Sequence, residues 1–130
     1  MEHAKGAHAY QTLLSQNGWL PNRTDFPVEN IEPLFTSYSS VFRTDYDGFP
    51  EGGWQVEEGL SHEQTLRSMT IWAAKSSFEE NENGSLEPGK YADFVILDTD
   101  LMNAIPQKVL RAKIESTWIG GEMVFEKREK

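Results

Sequence analysis

The stretch Gly84-Ser-Leu-Glu-Pro-Gly-Lys90-Tyr-Ala-Asp93-Phe-Val-Ile-Leu-Asp98 constrains this chain more than any other. A turn bounded by two glycines runs straight into a short apolar strand. Gly84 and Gly89 supply the positive φ angles that tight turns demand. Pro88 fixes its own φ just before the second glycine. Phe94 to Leu97 are four consecutive apolar residues, which predicts a strand covered on both faces.

The remaining elements fall on either side of that turn. Gly120-Gly121 between Trp118-Ile119 and Met123-Val124-Phe125 is a hairpin signal, which predicts strands over 114–119 and 122–126. Glu126 to Lys130 is a charged tail, and Pro106 to Arg111 a helical turn. Upstream, Ala4, Ala7, Tyr10 (or Thr12) and Leu14 predict a helix over 3–15, ended by Asn17-Gly18. Trp19-Leu20-Pro21 opens a short strand toward Thr24-Asp25-Phe26, which Pro27 stops. A second helix covers 31–43, with Pro33 in its first turn and Leu34, Tyr38, Val41 and Phe42 as an apolar stripe. Residues 44–60 carry four glycines and Pro50 without periodicity, the composition of an irregular loop. Ser61-His62-Glu63-Gln64 is a capping box that opens a helix over 62–77, whose apolar face is Leu66, Met69 and Ala73. Glu79 to Asn83 is a short acidic connector.

Helix and strand alternate first and strands segregate last. That order predicts an α+β chain: the end of a (β/α) barrel, its last strand and helices, followed by a small β-domain with a C-terminal hairpin. The expected division is 1–78 for the mostly helical barrel remnant and 79–130 for the β-domain.

Composition excludes several function classes. The 130 residues are 38% hydrophobic, enough for a core, so global disorder is not expected. Net charge is −9, from 21 acidic against 12 basic residues, the wrong sign for a generic binder of nucleic acid or anionic membrane. The absence of cysteine removes disulfides, zinc–thiolate sites and cysteine nucleophiles. No apolar run approaches the ~20 residues of a membrane span. The first residues hold no apolar signal-peptide core, so a cytoplasmic location is expected.

Six segments together carry a family resemblance. Gly84 to Asp98 resembles the signature G-S-(I/L)-x-x-G-K-x-A-D-(L/F)-V-x-x-D found near the C-terminus of metal-dependent amidohydrolases. Thr24-Asp25-Phe26-Pro27-Val28-Glu29 is similar to a segment at the end of the eighth barrel strand, and Pro33-Leu34 with Tyr38 to the segment behind it. Asp47-Gly48 with Gly52-Gly53-Trp54, Leu60 to Ala74, and Trp118 to Val124 resemble the following loop, the last barrel helix and the closing hairpin. Over its whole length the chain thus resembles the C-terminal part of amidohydrolase family 3, predicted TIM-barrel metal-dependent hydrolases. The resemblance implies metal-assisted hydrolysis, in which one or two divalent ions, zinc or similar, lower the pKa of a bound water. It also implies that Asp25 is the aspartate that binds metal and moves the proton in an intact parent.

The chain departs from the family pattern. It holds no His-x-His pair, and His3, His8 and His62 match no family ligand. His3 and His8 are placed on the first helix but five apart, not on a shared face. Arg23 stands two before Asp25 where a small residue is usual, and a long cation there would crowd and repel a metal ion. Taken alone, Asp25 is a turn aspartate before Pro27, because one carboxylate is not a metal site.

Other motifs have plainer readings. Ser61 next to His62 is a helix cap, since adjacent helical residues do not face each other. Gly84 to Lys90 fails as a phosphate loop because Tyr91 follows the lysine and a strand follows the turn. Trp19, Trp54, Trp72 and Trp118 are expected in packing rather than ligand stacking. Glu79, Glu80 and Glu82 lack the loop that would make them a cation site. Two functions follow as expectations. The first is a C-terminal fragment of an amidohydrolase acting on non-peptide C–N bonds, inactive alone and without a cofactor of its own. The second is a self-standing, non-enzymatic β-module. In either case the expected partner is the rest of the barrel or another copy of the chain, as a homo-oligomer, because a barrel remnant exposes strand edges and an apolar helix face.

Overall fold

A computed structural model describes residues 6–128. Five helices and three strands follow in the order α1 (Tyr10–Asn17), α2 (Pro33–Phe42), α3 (His62–Met69), α4 (Ile71–Ser76), β1 (Phe94–Leu97), α5 (Pro106–Arg111), β2 (Ile114–Ile119) and β3 (Glu122–Glu126). A 3-10 turn, Val56–Glu58, interrupts the loop between α2 and α3. This is the expected α+β content, with the strands last.

Local chemistry explains most helix ends. Gly18 closes α1 in the left-handed conformation at φ 79, its N–H donating to Leu14 O at 2.7 Å. Pro33 occupies the first turn of α2, where its missing N–H costs nothing. The capping box of α3 is complete: Ser61 Oγ accepts from Gln64 N at 3.1 Å and Gln64 Oε1 accepts from Ser61 N at 2.8 Å.

Four expectations need correction. The helix expected over 3–15 begins at Tyr10; residues 6–8 form a turn in which His8 has φ 53, so His8 precedes the helix, and His3 and Ala4 lie outside the described residues. The strand expected near 19–26 is not formed, because no other strand pairs with those residues. The helix expected over 62–77 breaks at Thr70, whose φ and ψ are −125 and −99. Thr70 Oγ1 donates to Leu66 O at 2.7 Å, a back-bond that bends helices. The buried face of that helix pair is Thr65, Ser68 and Ala74, while Leu66 is 47% exposed. Finally, β1 is not covered on both faces, since Val95 and Ile96 are each about half exposed.

Small hydroxyl residues make the seam between α2 and α3. Ser37, Ser40, Thr65 and Ser68 are all buried, and Ser40 and Ser68 bond back to carbonyls of their own helices at 2.7 Å. The main apolar core lies elsewhere. Tyr38 of α2 packs on Ala104 and Val109, with Phe42, Leu101 and Leu110 around them, so α5 leaves the strand region to close on α2.

The sheet is antiparallel in the order β1-β2-β3. Phe94 pairs with Trp118, and their rings stack at 5.5 Å. Two aspartates bracket β1. Asp93 Oδ1 accepts from Gly120 N in the β2–β3 turn at 2.7 Å. Asp98 Oδ1 accepts from Lys113 N at 2.9 Å, and its own N–H donates to Lys113 O at 3.1 Å. The Lys113 N–H and then the Thr99 hydroxyl hold the Asp98 carboxyl below the usual aspartate value.

The turn before β1 behaves as its glycines require. Gly84 has φ 83 and Gly89 φ 95. Their surroundings differ: a Cβ on Gly89 meets nothing within 4 Å, whereas one on Gly84 would lie 2.7 Å from Ala74 Cβ and 2.9 Å from Ile71 Cα. Gly89→Ala should therefore cost about 1–2 kcal/mol for the left-handed φ. Gly84→Ala should cost ~1–3 kcal/mol more through overpacking. Urea denaturation of both variants checks this, and equal costs would contradict the close seat of Gly84 on α4.

Acid stability follows from the bonded carboxylates. Glu58 (Thr12 hydroxyl first), Glu87 (Lys90 first), Asp98 and Asp100 (Asn103 amide first) all have lowered pKa values. A group lowered in the folded state contributes stability above its unfolded pKa, about 4, and that stability is lost as pH falls through the folded value. The melting temperature should hold from neutral pH to about 4 and drop below it, with a smaller drop in Asp98→Asn. Superimposable profiles for the two proteins would refute the assignment.

Candidate functional site

The segment that leads to Asp25 is held in place residue by residue. Asn17 Nδ2 donates to Trp19 O at 2.8 Å, and Lys75 Nζ sits 4.8 Å from the centre of the Trp19 ring. Asn22 then enters the α2–α3 seam. Its Nδ2 donates to Ser40 Oγ at 2.7 Å and its N–H to Ser68 O at 3.0 Å. After this anchor the chain turns outward: Asp25 takes φ 57, which short polar side chains tolerate, and its carbonyl accepts from Val28 N at 2.9 Å.

Asp25 lies at the surface. Its Oδ1 is 3.1 Å from Arg23 Nη2, with the side chains 61% and 84% exposed. Such a pair is worth about 0–1 kcal/mol. Arg23 thus meets Asp25 directly rather than merely crowding it. Around them Phe26, Val28 and Ile31 are well exposed.

Neither described histidine is brought to Asp25. His8 packs edge-on against Tyr10 and Trp54, and His62, the first residue of α3, against Phe42. Among the described residues no three His, Asp or Glu side chains converge where a metal ion could be held. No described helix is long and apolar enough to cross a membrane.

The other motifs fall into structural roles. Lys90 Nζ is folded back onto its own turn, 2.7 Å from both Glu87 Oε2 and Ser85 Oγ, so it is not available to a phosphate. Trp118 lies on Phe94, Trp19 under Lys75 and Trp54 under Arg43. Glu79 accepts from Asn83 Nδ2 at 3.1 Å. An open hollow of about 620 Å³ near Asp98 and Asp100 has carboxylates already engaged by Lys113 N, Thr99, Met102 N and Asn103.

The residue that sequence reasoning missed is Arg43. It is buried, at φ 59, and its Nε donates to Trp54 O at 3.1 Å and its Nη2 to His8 O at 3.2 Å. The guanidinium also faces the rings of Tyr10 and Trp54 at 5.2 and 5.3 Å. An arginine at a helix C-terminus carries no sequence signal of burial, because a basic residue there is ordinarily a solvated partner of the helix dipole.

Comparison with known proteins adds what the geometry lacks. The amidohydrolase family profile matches residues 1–125. The chain is 34% identical over 121 residues to Protein LONG AFTER FAR-RED 3 of Arabidopsis thaliana, covering 93% of this chain and 20% of that protein. It is 26% identical over 104 residues to an N-substituted formamide deformylase of Arthrobacter pascens, covering 80% of this chain and 19% of that protein. In fold it matches the crystal structure of an amidohydrolase from Thermotoga maritima MSB8 with a TM-score of 0.68 and 22% identity, over 92% of this chain and 26% of the other. The chain spans about a fifth of the length of these two curated relatives.

A surface pair with so little to lose gives a direct expectation. Asp25→Ala should change the stability of this chain by less than about 0.5 kcal/mol. Thermal unfolding of the two proteins is the check, and a fall of several kelvin would mean that Asp25 carries structure.

Proposed function

The chain belongs to amidohydrolase family 3, and from that premise we propose that it supplies the C-terminal part of a hydrolase that cleaves non-peptide C–N bonds. The observation that carries this reading is a family match across nearly the whole chain combined with a span of only about a fifth of two relatives. In this reading residues 1–78 provide the last barrel strand and helices, and 79–130 part of a small β-domain. Two features support it. Residues 19–24 form no helix or turn and pair with no strand, as a barrel strand parted from its neighbours would. Leu13, Leu66, Val95 and Ile96, each about half exposed, would find cover in the rest of such a molecule.

Asp25 is the residue we assign to the chemistry. A carboxylate there can accept a proton from the attacking water and pass it to the departing nitrogen. The described residues do not by themselves fit a metal ion: Asp25 is met by the Arg23 guanidinium, and among the described residues no further ligand converges on it. A zinc or similar ion would need its other ligands from the rest of an intact parent. On this reading the chain alone is inactive, and its partner is the remainder of the barrel or a second copy of itself. The comparisons do not favour a self-standing non-enzymatic β-module.

The test is made on the complete hydrolase that contains this segment, with an N-substituted formamide as the first substrate. Asp25→Asn should lower kcat by about 10²–10⁴ with KM little changed, the range for removal of a general acid–base group. Full kcat in that variant would overturn the role of Asp25. The present chain, dialysed with Zn²⁺ and then freed of excess ion, should retain no metal by elemental analysis. One retained ion per chain would contradict the incomplete ligand set.

A further inference from the structure

The chain contains three places where glycine follows an asparagine or aspartate: Asn17-Gly18, Asp47-Gly48 and Asn83-Gly84. At such a pair the glycine amide nitrogen can attack the preceding side-chain carbonyl carbon, because no Cβ shields it. The structure treats the three differently. Gly18 N–H donates to Leu14 O at 2.7 Å as the cap of α1, and Asn17 is held inside the helix. Gly48 N–H donates to Asp45 O at 3.0 Å, and its neighbour is a carboxylate, a poor electrophile. Gly84 N–H has no acceptor among the described residues.

We propose that Asn83-Gly84 is a self-modifying site, at which Asn83 converts through a cyclic imide to aspartate and isoaspartate ahead of Asn17. The Gly84 nitrogen forms a bond to Asn83 Cγ, the Cγ–Nδ2 bond breaks, and ammonia leaves, the Gly84 N–H proton being given up in the exchange. One water then opens the imide at either carbonyl. Net, an amide and water become an acid and ammonia, with no change of oxidation state. Asn83 is otherwise held only by its ties to Glu79, its N–H on Glu79 O at 3.0 Å and its Nδ2 on Glu79 Oε2 at 3.1 Å.

The product changes the fold at a tight place. Either acid sets a new negative charge against Glu79, the group that now accepts from Asn83 Nδ2, within a connector that already carries Glu80 and Glu82. Isoaspartate also lengthens the main chain by one methylene. Gly84 has no slack for this, since even a Cβ there would lie 2.7 Å from Ala74 Cβ and 3.1 Å from Thr70 O. Just beyond, Tyr91 N–H donates to Glu82 O at 2.8 Å and closes the connector that leads into β1. The modification therefore acts on the joint between α4 and the sheet.

The test incubates the full chain in mildly alkaline buffer and follows each asparagine by peptide mass mapping, with isoaspartate detection. Asn83 should convert at least about fivefold faster than Asn17, the factor matching one hydrogen bond of about 1 kcal/mol on the competing Gly18 amide. In denaturant the two rates should draw together, because both are Asn-Gly pairs. Asn83→Gln should abolish the fast phase while Asn17 keeps its rate. The isoaspartate form, separated by ion exchange, should melt below Asn83→Asp, which adds the charge without the methylene. Equal native rates, a rate ratio that persists in denaturant, or an isoaspartate form as stable as Asn83→Asp would each overturn the proposal.

Discussion

A buried guanidinium ties the first half of this chain together. Arg43 leaves the end of α2 in a left-handed conformation, and that reversal aims its side chain back between α1 and the loop that follows. A charge out of water is tolerable only when its donors are used and its surroundings polarise toward it. Here two carbonyls, two aromatic faces and the nearby field of Glu58 share that task. Glu58 in turn accepts from both the hydroxyl and the N–H of Thr12 on α1. The Arg43 carbonyl accepts from Trp54 N at 2.8 Å, so backbone and side chain fix the same loop. In a chain without disulfides, one polar cluster thus does for three segments what an apolar core does elsewhere.

That arrangement leaves α2 free to use its other sides. One side meets α3 through small hydroxyls, which let the helices approach closely; Ser40 and Ser68 bond back to carbonyls of their own helices, while the buried Thr65 hydroxyl has no partner among the described residues. Asn22 enters the same seam, and through it the segment carrying Asp25 is positioned by two helices at once. The cost of a polar seam is that apolar side chains such as Leu66 turn outward. The exposed apolar residues and the buried serines are two consequences of one choice of contact face.

Legibility followed the range of the physics. Elements set by local chemistry could be read directly: the capping box at Ser61 and Gln64, Pro33 in the first turn of α2, the glycine end of α1, and the hairpin around Gly120-Gly121. What tertiary contact decides was hidden. Periodicity put Leu66 on a buried face, but the close α2–α3 seam prefers Thr65 and Ser68. Apolar content marked residues 94–97 as doubly covered, but cover is decided by tertiary contact, and Val95 and Ile96 stay about half exposed. The helix over 62–77 read as continuous because the back-bond of Thr70 leaves no trace in a hydrophobic pattern. For the site, the place of Asp25 in a turn was legible from Pro27, its ion pair with Arg23 only from the structure, and the burial of Arg43 from neither position nor composition.

The strongest sequence motif has a physical reason that is separate from chemistry. Its two aspartates, Asp93 and Asp98, stand one residue outside each end of the four-residue strand β1. From there each accepts a backbone N–H from an adjoining segment, Gly120 at one end and Lys113 at the other. A short edge strand has few ladder bonds, so charge-assisted bonds at its ends weigh heavily in setting its register. The glycines ahead of it are needed for the left-handed turn, and Gly84 also for the close pass over α4. Each constrained position in the motif thus answers to backbone closure. Asp25 differs in kind: its side-chain pairing with Arg23 is exposed and weak, so closure of the backbone does not call for an aspartate there.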